Sequence, residues 1–351
     1  MRYIISTTPI PTALLLLIAA TQHAAFGQAE IIPQRPQAGV IEFYGVKRTP
    51  IDKLRKALGF AEGGYIPSSR GETELRLQTV PGVVNAQVQA ICCDQGKAIV
   101  YVGIEERGAG RFDYRTEPQG DVNVPEAVEK AYLAFIAAVN DAAREGVAAE
   151  DLTNGHSLMA YPPARELQLQ FVDLAEEHAD QLRKVIRESG DPSQRAMAVY
   201  VLGYLKAKPR VVDDLFYALK DVDDTVRSNA IRALGAISVK AKLDPEAEIK
   251  VPATWFIEML NSLAWADRTQ AAKFLVNLSE SRDRRILDQM RDRAYDTLVE
   301  MAKWKQAEHS LPAYILIGRI AGIPEEDLQQ AWSTGDRDLM IQRATAPFKK
   351  K

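Results

Sequence analysis

Cysteine is nearly absent. The 351 residues contain two, and they are adjacent, at Cys92 and Cys93. That excludes a disulfide framework and any zinc ribbon or finger, which need spaced cysteine pairs. Histidine is almost as scarce: His23, His156, His178 and His309 leave little material for a metal site. No metal and no cofactor is therefore expected. An excess of either charge sign is missing too. Lys and Arg number 44 against 47 Asp and Glu, a formal net charge of −3, whereas a nucleic-acid binder is usually basic overall or carries a basic stripe. No Walker loop and no GxGxxG motif is present. What the chain does have is ordinary for a protein that buries a real core, with 46% apolar and 26% charged residues. Its length suits about two domains.

The N-terminus reads as an address. Arg2 is the only charge before Glu30, and residues 13–20 read ALLLLIAA. Ala25-Phe26-Gly27 then supplies the small-x-small pattern that signal peptidase requires. The expectation is a signal peptide over 1–27, a mature chain starting at Gln28, and a periplasmic or secreted location. The rival is an uncleaved anchor, but the apolar stretch is short for a ~30 Å hydrocarbon core. No membrane span is expected after cleavage. Residues 28–39, QAEIIPQRPQAG, mix Pro, Gln and Gly without period and read as a flexible lead.

Residues 40–108 carry a β-α-α-β-β pattern. VIEFYG alternates like a strand. Ile51, Leu54 and Leu58 follow helical spacing, with Thr49 as the expected N-cap and Gly59 as the stop. A second short helix is expected over 71–79, then strands over 85–93 and 97–105 joined by a short Asp94-Gln95-Gly96 turn. Ala98, Val100, Val102 and Ile104 share one strand face, as do Ala86, Val88, Ala90 and Cys92. On a strand, Cys92 and Cys93 point to opposite faces, so one buried and one exposed thiol is expected. The alternatives are a vicinal disulfide, which distorts the intervening backbone, and an intermolecular bridge through Cys93.

IEFYG, IDKLRKALG, VPGVVNAQV and AIVYVGIEE together resemble a POTRA domain over roughly 70 residues. The resemblance implies a docking module whose exposed sheet edge, at residues 40–45, pairs with a partner strand. The other reading is a small domain that only caps the next one. Residues 109–124 are aperiodic and read as a linker.

From 125 to 345 the chain is helical and repetitive. Asp191, Arg195, Ala198, Leu202, Gly203 and Leu205 recur 32 residues later as Asp223, Arg227, Ala230, Leu234, Gly235 and Ile237. A weaker copy follows 41 further on, at Arg268, Ala271 and Leu275, and a fourth 42 beyond that, at Ala313 and Ile317. In the degraded copies Ala264 replaces the aspartate and Ser310 the arginine. Each unit is helix-turn-helix, and no unit can bury its apolar face alone, so the units stack. The phrases SGDPSQRAMAVYVLGYL and DVDDTVRSNAIRALGAI resemble short bacterial HEAT repeats. The fold class expected is α+β: the POTRA-like domain followed by an all-α, HEAT-like superhelical solenoid. Residues 346–351 read as a basic tail.

Asp191 and Asp223 are expected to cap their helices, with Arg195 and Arg227 pairing to those carboxylates or to a neighbouring turn. The resemblance places the second helix of each unit on the concave face. There Tyr200, Tyr204, Arg232, Lys273, Asn277 and Arg319 recur at matching offsets and form the expected partner-binding stripe. His156-Ser157 is the one spot suggestive of a nucleophile and base, but no nucleophile turn surrounds it. The leading functional reading is an exported, non-enzymatic scaffold for proteins in envelope assembly or secretion. The alternative is an enzyme or a small-molecule binder, bilin-lyase-like, on the concave face. A deep pocket of buried ionisable groups would favour the enzyme; a groove of mixed polar and aromatic residues would favour the scaffold.

Overall fold

The computed structural model describes residues 35–348. The expected signal peptide, most of the lead and the terminal lysines lie outside the described residues. Strand β1 (Ala38–Tyr44), helices α1 (Ile51–Leu58) and α2 (Arg70–Gln78), and strands β2 (Val83–Asp94) and β3 (Lys97–Glu106) appear in the order read from the sequence. The sheet order is β1-β3-β2, with β3 parallel to β1 and antiparallel to β2. The β2–β3 turn has positive φ at both central residues, Gln95 and Gly96, the twist that a two-residue hairpin needs.

β3 is central and buried on both faces. Ala98, Val100, Val102 and Ile104 face α1 and α2 through Leu54, Leu58 and Leu77. Ile99 and Tyr101 face the other way, into the core shared with the helical region. On β2 the expected apolar face is only half used: Ala86 and Val88 are buried, while Ala90 and Cys92 are exposed. The expected pair of free thiols is replaced by a Cys92–Cys93 disulfide. It lies where the β2–β3 register slips, between Ile91 and Asp94, so the strict face alternation that the thiol reading assumed does not hold there.

Thr49 does not cap α1; Pro50 takes the cap position without a side-chain bond. The Lys47, Arg48 and Thr49 N–H groups instead donate to the carboxylate of Glu106, at 3.2, 3.0 and 2.7 Å. Burial alone would raise the pKa of Glu106, but these N–H groups outweigh it and hold the carboxyl at about 2. Its folded pKa lies below the unfolded value of 4.5. The stabilisation is therefore complete above that value and lost as pH falls from 4.5 towards 2. Glu106→Gln should be less stable than wild type at neutral pH, and the gap should close on acidification. A gap that is constant down to pH ~2 would mean the carboxylate is not the group that matters.

The helical region opens with α3 (Glu126–Arg144) and a short hairpin, β4 (Glu150–Asp151) and β5 (Leu158–Met159). Four helix pairs follow: α4 (Pro162–Glu188) with α5 (Pro192–Leu202), α6 (Lys208–Ala218) with α7 (Asp224–Leu243), α8 (Thr254–Met259) with α9 (Trp265–Leu278), and α10 (Arg284–Ala302) with α11 (Ala307–Ile320). Helices α12 (Glu325–Thr334) and α13 (Arg337–Thr345) close the end. The second helices stack in order, α5 on α7, α7 on α9, α9 on α11. Ala230 and Leu234 are fully buried between them.

The segment expected to be a linker has no regular structure, yet it is tied down along its length. Tyr114 donates to Asp267 at 3.0 Å and shares a 2.6 Å bond with Ser262, at the turn of the third pair. The Arg115 N–H donates to Lys220 O at the second. Gly120 exchanges bonds with Glu188 O and the Gly190 N–H at the first. Phe112 and Val124 are buried. The segment is a strap across three repeat turns, and residues 36 onward form one compact unit. The sheet joins that unit through Tyr44 and Tyr101, packed on Trp265, Trp304 and His309. The Tyr44 hydroxyl donates to Leu263 O at 2.5 Å, and Tyr101 bonds His309 Nδ1 at 2.6 Å.

Candidate functional site

The repeat aspartates do what their position requires. Asp191 accepts from the Ser193 N–H at 2.7 Å, and Asp223 from the Thr225 and Val226 N–H groups at 3.0 Å. Each cap satisfies donors that a helix start leaves free. The arginines reach elsewhere. Arg195, Arg227 and Arg268 each donate to the carbonyl six residues earlier, on Ser189, Asp221 and Ser262. Each then pairs with a carboxylate of the following unit: Arg195 with Asp221 at 2.8 Å, Arg227 with Asp267 at 2.9 Å, Arg268 with Glu300 at 3.4 Å. So Arg227 bonds its neighbouring turn and not the Asp223 carboxylate, which its own helix consumes. The fourth unit lacks the arginine, and Arg337 from α13 fills the role. It donates to Trp304 O, six residues before Ser310, at 3.0 Å, and to the Ser310 hydroxyl at 3.2 Å. Asp221, Asp267 and Glu300 were missed in the sequence because their positions do not share one repeat offset. These charges hold units together.

The expected binding stripe is divided. Lys273 and Asn277 are exposed, and Arg232 is partly exposed. Arg319 is buried, with donors on Val276 O, Ser279 and Glu325. Tyr200 and Tyr204 are buried as well. They stand among Tyr132, Phe135 and Phe171, and burial pushes the Tyr200 hydroxyl up to about 12. The reason is that α5 is covered on two sides. Tyr200 lies opposite Leu202 on the helix, and Tyr204 lies in the turn just past its end, but α3 and residues 147–161 pack there. The uninterrupted apolar run AMAVYVL was the available signal, since a helix apolar all round is buried all round.

Residues 147–161 close over this aromatic cluster. Ser157 O accepts from the Tyr204 hydroxyl at 2.8 Å, and Glu150 pairs with Arg232. His156 stacks against Tyr204 with centroids 5.1 Å apart, and its Nδ1 is buried without a hydrogen-bond partner. Burial first, then Lys208 and Lys240, lower its pKa to about 4 against the pull of Asp151. Lys208, itself buried and bonded to Gly203 O at 2.8 Å, is lowered to about 7, chiefly by burial. Beneath His156 lies a cavity of about 20 Å³, lined by Tyr200, Tyr204, Asn229 and Arg232. That is room for about one water. The Ser157 hydroxyl lies 3.5 Å from Arg232 and has no base beside it, so the His156-Ser157 pair has no nucleophile geometry.

A larger groove, about 1290 Å³, opens between the sheet, the start of the strap and α10. Its walls mix aromatics (Phe43, Tyr114, Tyr295) with charges of both signs (Lys47, Arg293, Asp296). Among the described residues no group of three or more His, Cys, Asp or Glu side chains is placed to hold a metal ion. No described helix is long and apolar enough to cross a membrane.

Residues 179–249 match the family described as HEAT repeats. The match runs from the second half of α4 to just beyond α7, over the two units with intact Asp-x-x-x-Arg motifs. The helical region is thus a HEAT-like repeat array preceded by a small sheet region. No curated protein matches the sequence.

Proposed function

We propose that this chain is an exported, non-enzymatic scaffold that holds other proteins, with the sheet region a POTRA-like docking module and the repeats the main binding body. The observation that carries the reading is the groove of mixed aromatic and charged residues, set on a HEAT-like array of the kind that serves protein recognition. The N-terminal address supports a periplasmic or secreted location, which makes envelope assembly or secretion the setting for such a scaffold. The cavity at His156 is too small for a tetrapyrrole, so that loop does not support the bilin-lyase-like alternative.

The sheet edge at 40–45 is a poor site for strand addition. Two of its N–H groups are already engaged, which interrupts the edge: Ile41 donates to Glu62 at 3.1 Å and Gly45 to Glu300 at 2.9 Å. The groove is the better docking surface. The test is affinity capture from the native envelope fraction with the mature chain and with a Lys47→Glu/Arg293→Glu variant, both positions being well exposed. Wild type should retain a defined partner set, and the variant should lose it with helical content unchanged. Full retention by the variant would remove the groove from the proposal.

A further inference from the structure

The Cys92–Cys93 disulfide does little for the fold. The stabilisation that a disulfide gives grows with the length of chain it closes. This one joins neighbours, at a sequence separation of 1, so it hardly restrains the unfolded chain. It packs into no core either, since Cys92, Cys93 and the nearby Ala90 are all exposed. It does mark an irregularity. Ile91 pairs with Ile99 and Asp94 with Lys97, so Cys92 and Cys93 together stand opposite the single residue Ala98. Two residues against one is a β-bulge. The Ala98 N–H turns to the far side and donates to Gln37 O at 2.8 Å. The cysteines thus sit at the solvent end of the β2–β3 hairpin, beside the Gln95-Gly96 turn. The bulge itself is fixed from elsewhere. Closing it would slip β2 by one residue against β3 and turn the buried Ala86 and Val88 to the solvent face. Burial of those side chains holds the register whether or not the sulfurs are joined.

We propose that Cys92–Cys93 is an exchange site for a dithiol reductant, a two-electron couple displayed on the hairpin tip. Exposed disulfides are the labile ones, because the attacking thiolate can reach them. One thiol of the reductant loses its proton and attacks one of the two sulfurs. The S–S bond breaks, and the other cysteine leaves as a thiolate and takes up the proton. The second thiol of the reductant then loses its proton and attacks its own sulfur in the mixed disulfide. The first cysteine leaves and takes that proton. Two electrons and two protons have passed to the chain, and the reductant has become a disulfide. A disulfide of the same class reverses the steps. The change stays at the tip, since β2 keeps its register in both states. The inference is independent of the scaffold reading and uses neither the groove nor its partner.

The test uses the full mature chain. Purified in air, it should take up no iodoacetamide; after dithiothreitol treatment of the folded chain, both cysteines should be alkylated. In glutathione buffers, the folded chain should need no more than about tenfold the reduced-to-oxidised ratio that half-reduces the urea-unfolded chain, because a fold that gains little from the bond protects it little. Reduction should speed amide exchange near the bulge, at 91–98, and leave Val100 and Val102 as they were. Cys92→Ser/Cys93→Ser should show the reduced pattern with or without dithiothreitol. Alkylation of either cysteine before reduction would overturn the proposal. So would a folded chain that needs more than the tenfold excess, or faster exchange spreading through β1 and β3. A double variant that still responds to dithiothreitol would overturn it as well.

Discussion

Arg195→Met is expected to destabilise the protein by about 3–5 kcal/mol in urea unfolding, the usual loss when one partner of a buried ion pair is removed. Arg195 is fully buried and donates twice to Asp221, at 2.8 Å each, and once to Ser189 O at 2.9 Å. Without it, the Asp221 carboxylate keeps only the Asp223 N–H as a hydrogen-bond partner and stays buried, with the unbonded Arg115 charge nearby. The double variant Arg195→Met/Asp221→Leu removes both charges together and should recover much of the loss. An Arg195→Met cost under ~1 kcal/mol, the range of exposed pairs, would mean that the arginine ladder does not join the units.

Trp304→Ala should cost about 3–5 kcal/mol, the range for a buried tryptophan. It should also separate the sheet from the helices. Trp304 is 2% exposed and packs against both Tyr44 and Tyr101, the two aromatics that β1 and β3 turn towards the repeats. In the wild type, sheet and helices should unfold in one transition, because the strap and this aromatic contact make them one unit. In the variant, limited proteolysis should begin to cut within 109–124, where an undocked strap would be exposed. A wild-type chain that is already cut there first, with the two fragments folded, would show that the joint is weak.

The elements of the sheet region and the helix pairs were legible in the sequence because their signals are local. Pro125 starts a helix, Gly59 and Gly146 stop helices, and Asp191 and Asp223 cap them; each acts within a few residues. The repeat offset of 32 placed Ala230 and Leu234 at the unit interface for the same reason, since one packed helix pair dictates the pattern of the next. The binding stripe was less legible. Its residues were placed by helical phase alone, which says which way a side chain points but not what a distant segment lays over it.

Local chemistry in the sequence by itself therefore determined the element order, the repeat and its caps. Tertiary structure alone decided three things: that the aperiodic stretch 109–124 is a bonded strap, that Tyr200 and Tyr204 lie under residues 147–161, and that Arg337 supplies the guanidinium missing at Ser310. In each, a backbone carbonyl at a repeat turn or in the covering segment is satisfied by a group far away along the chain. Buried polar groups must find partners, but nothing in a local pattern says from how far the partner comes.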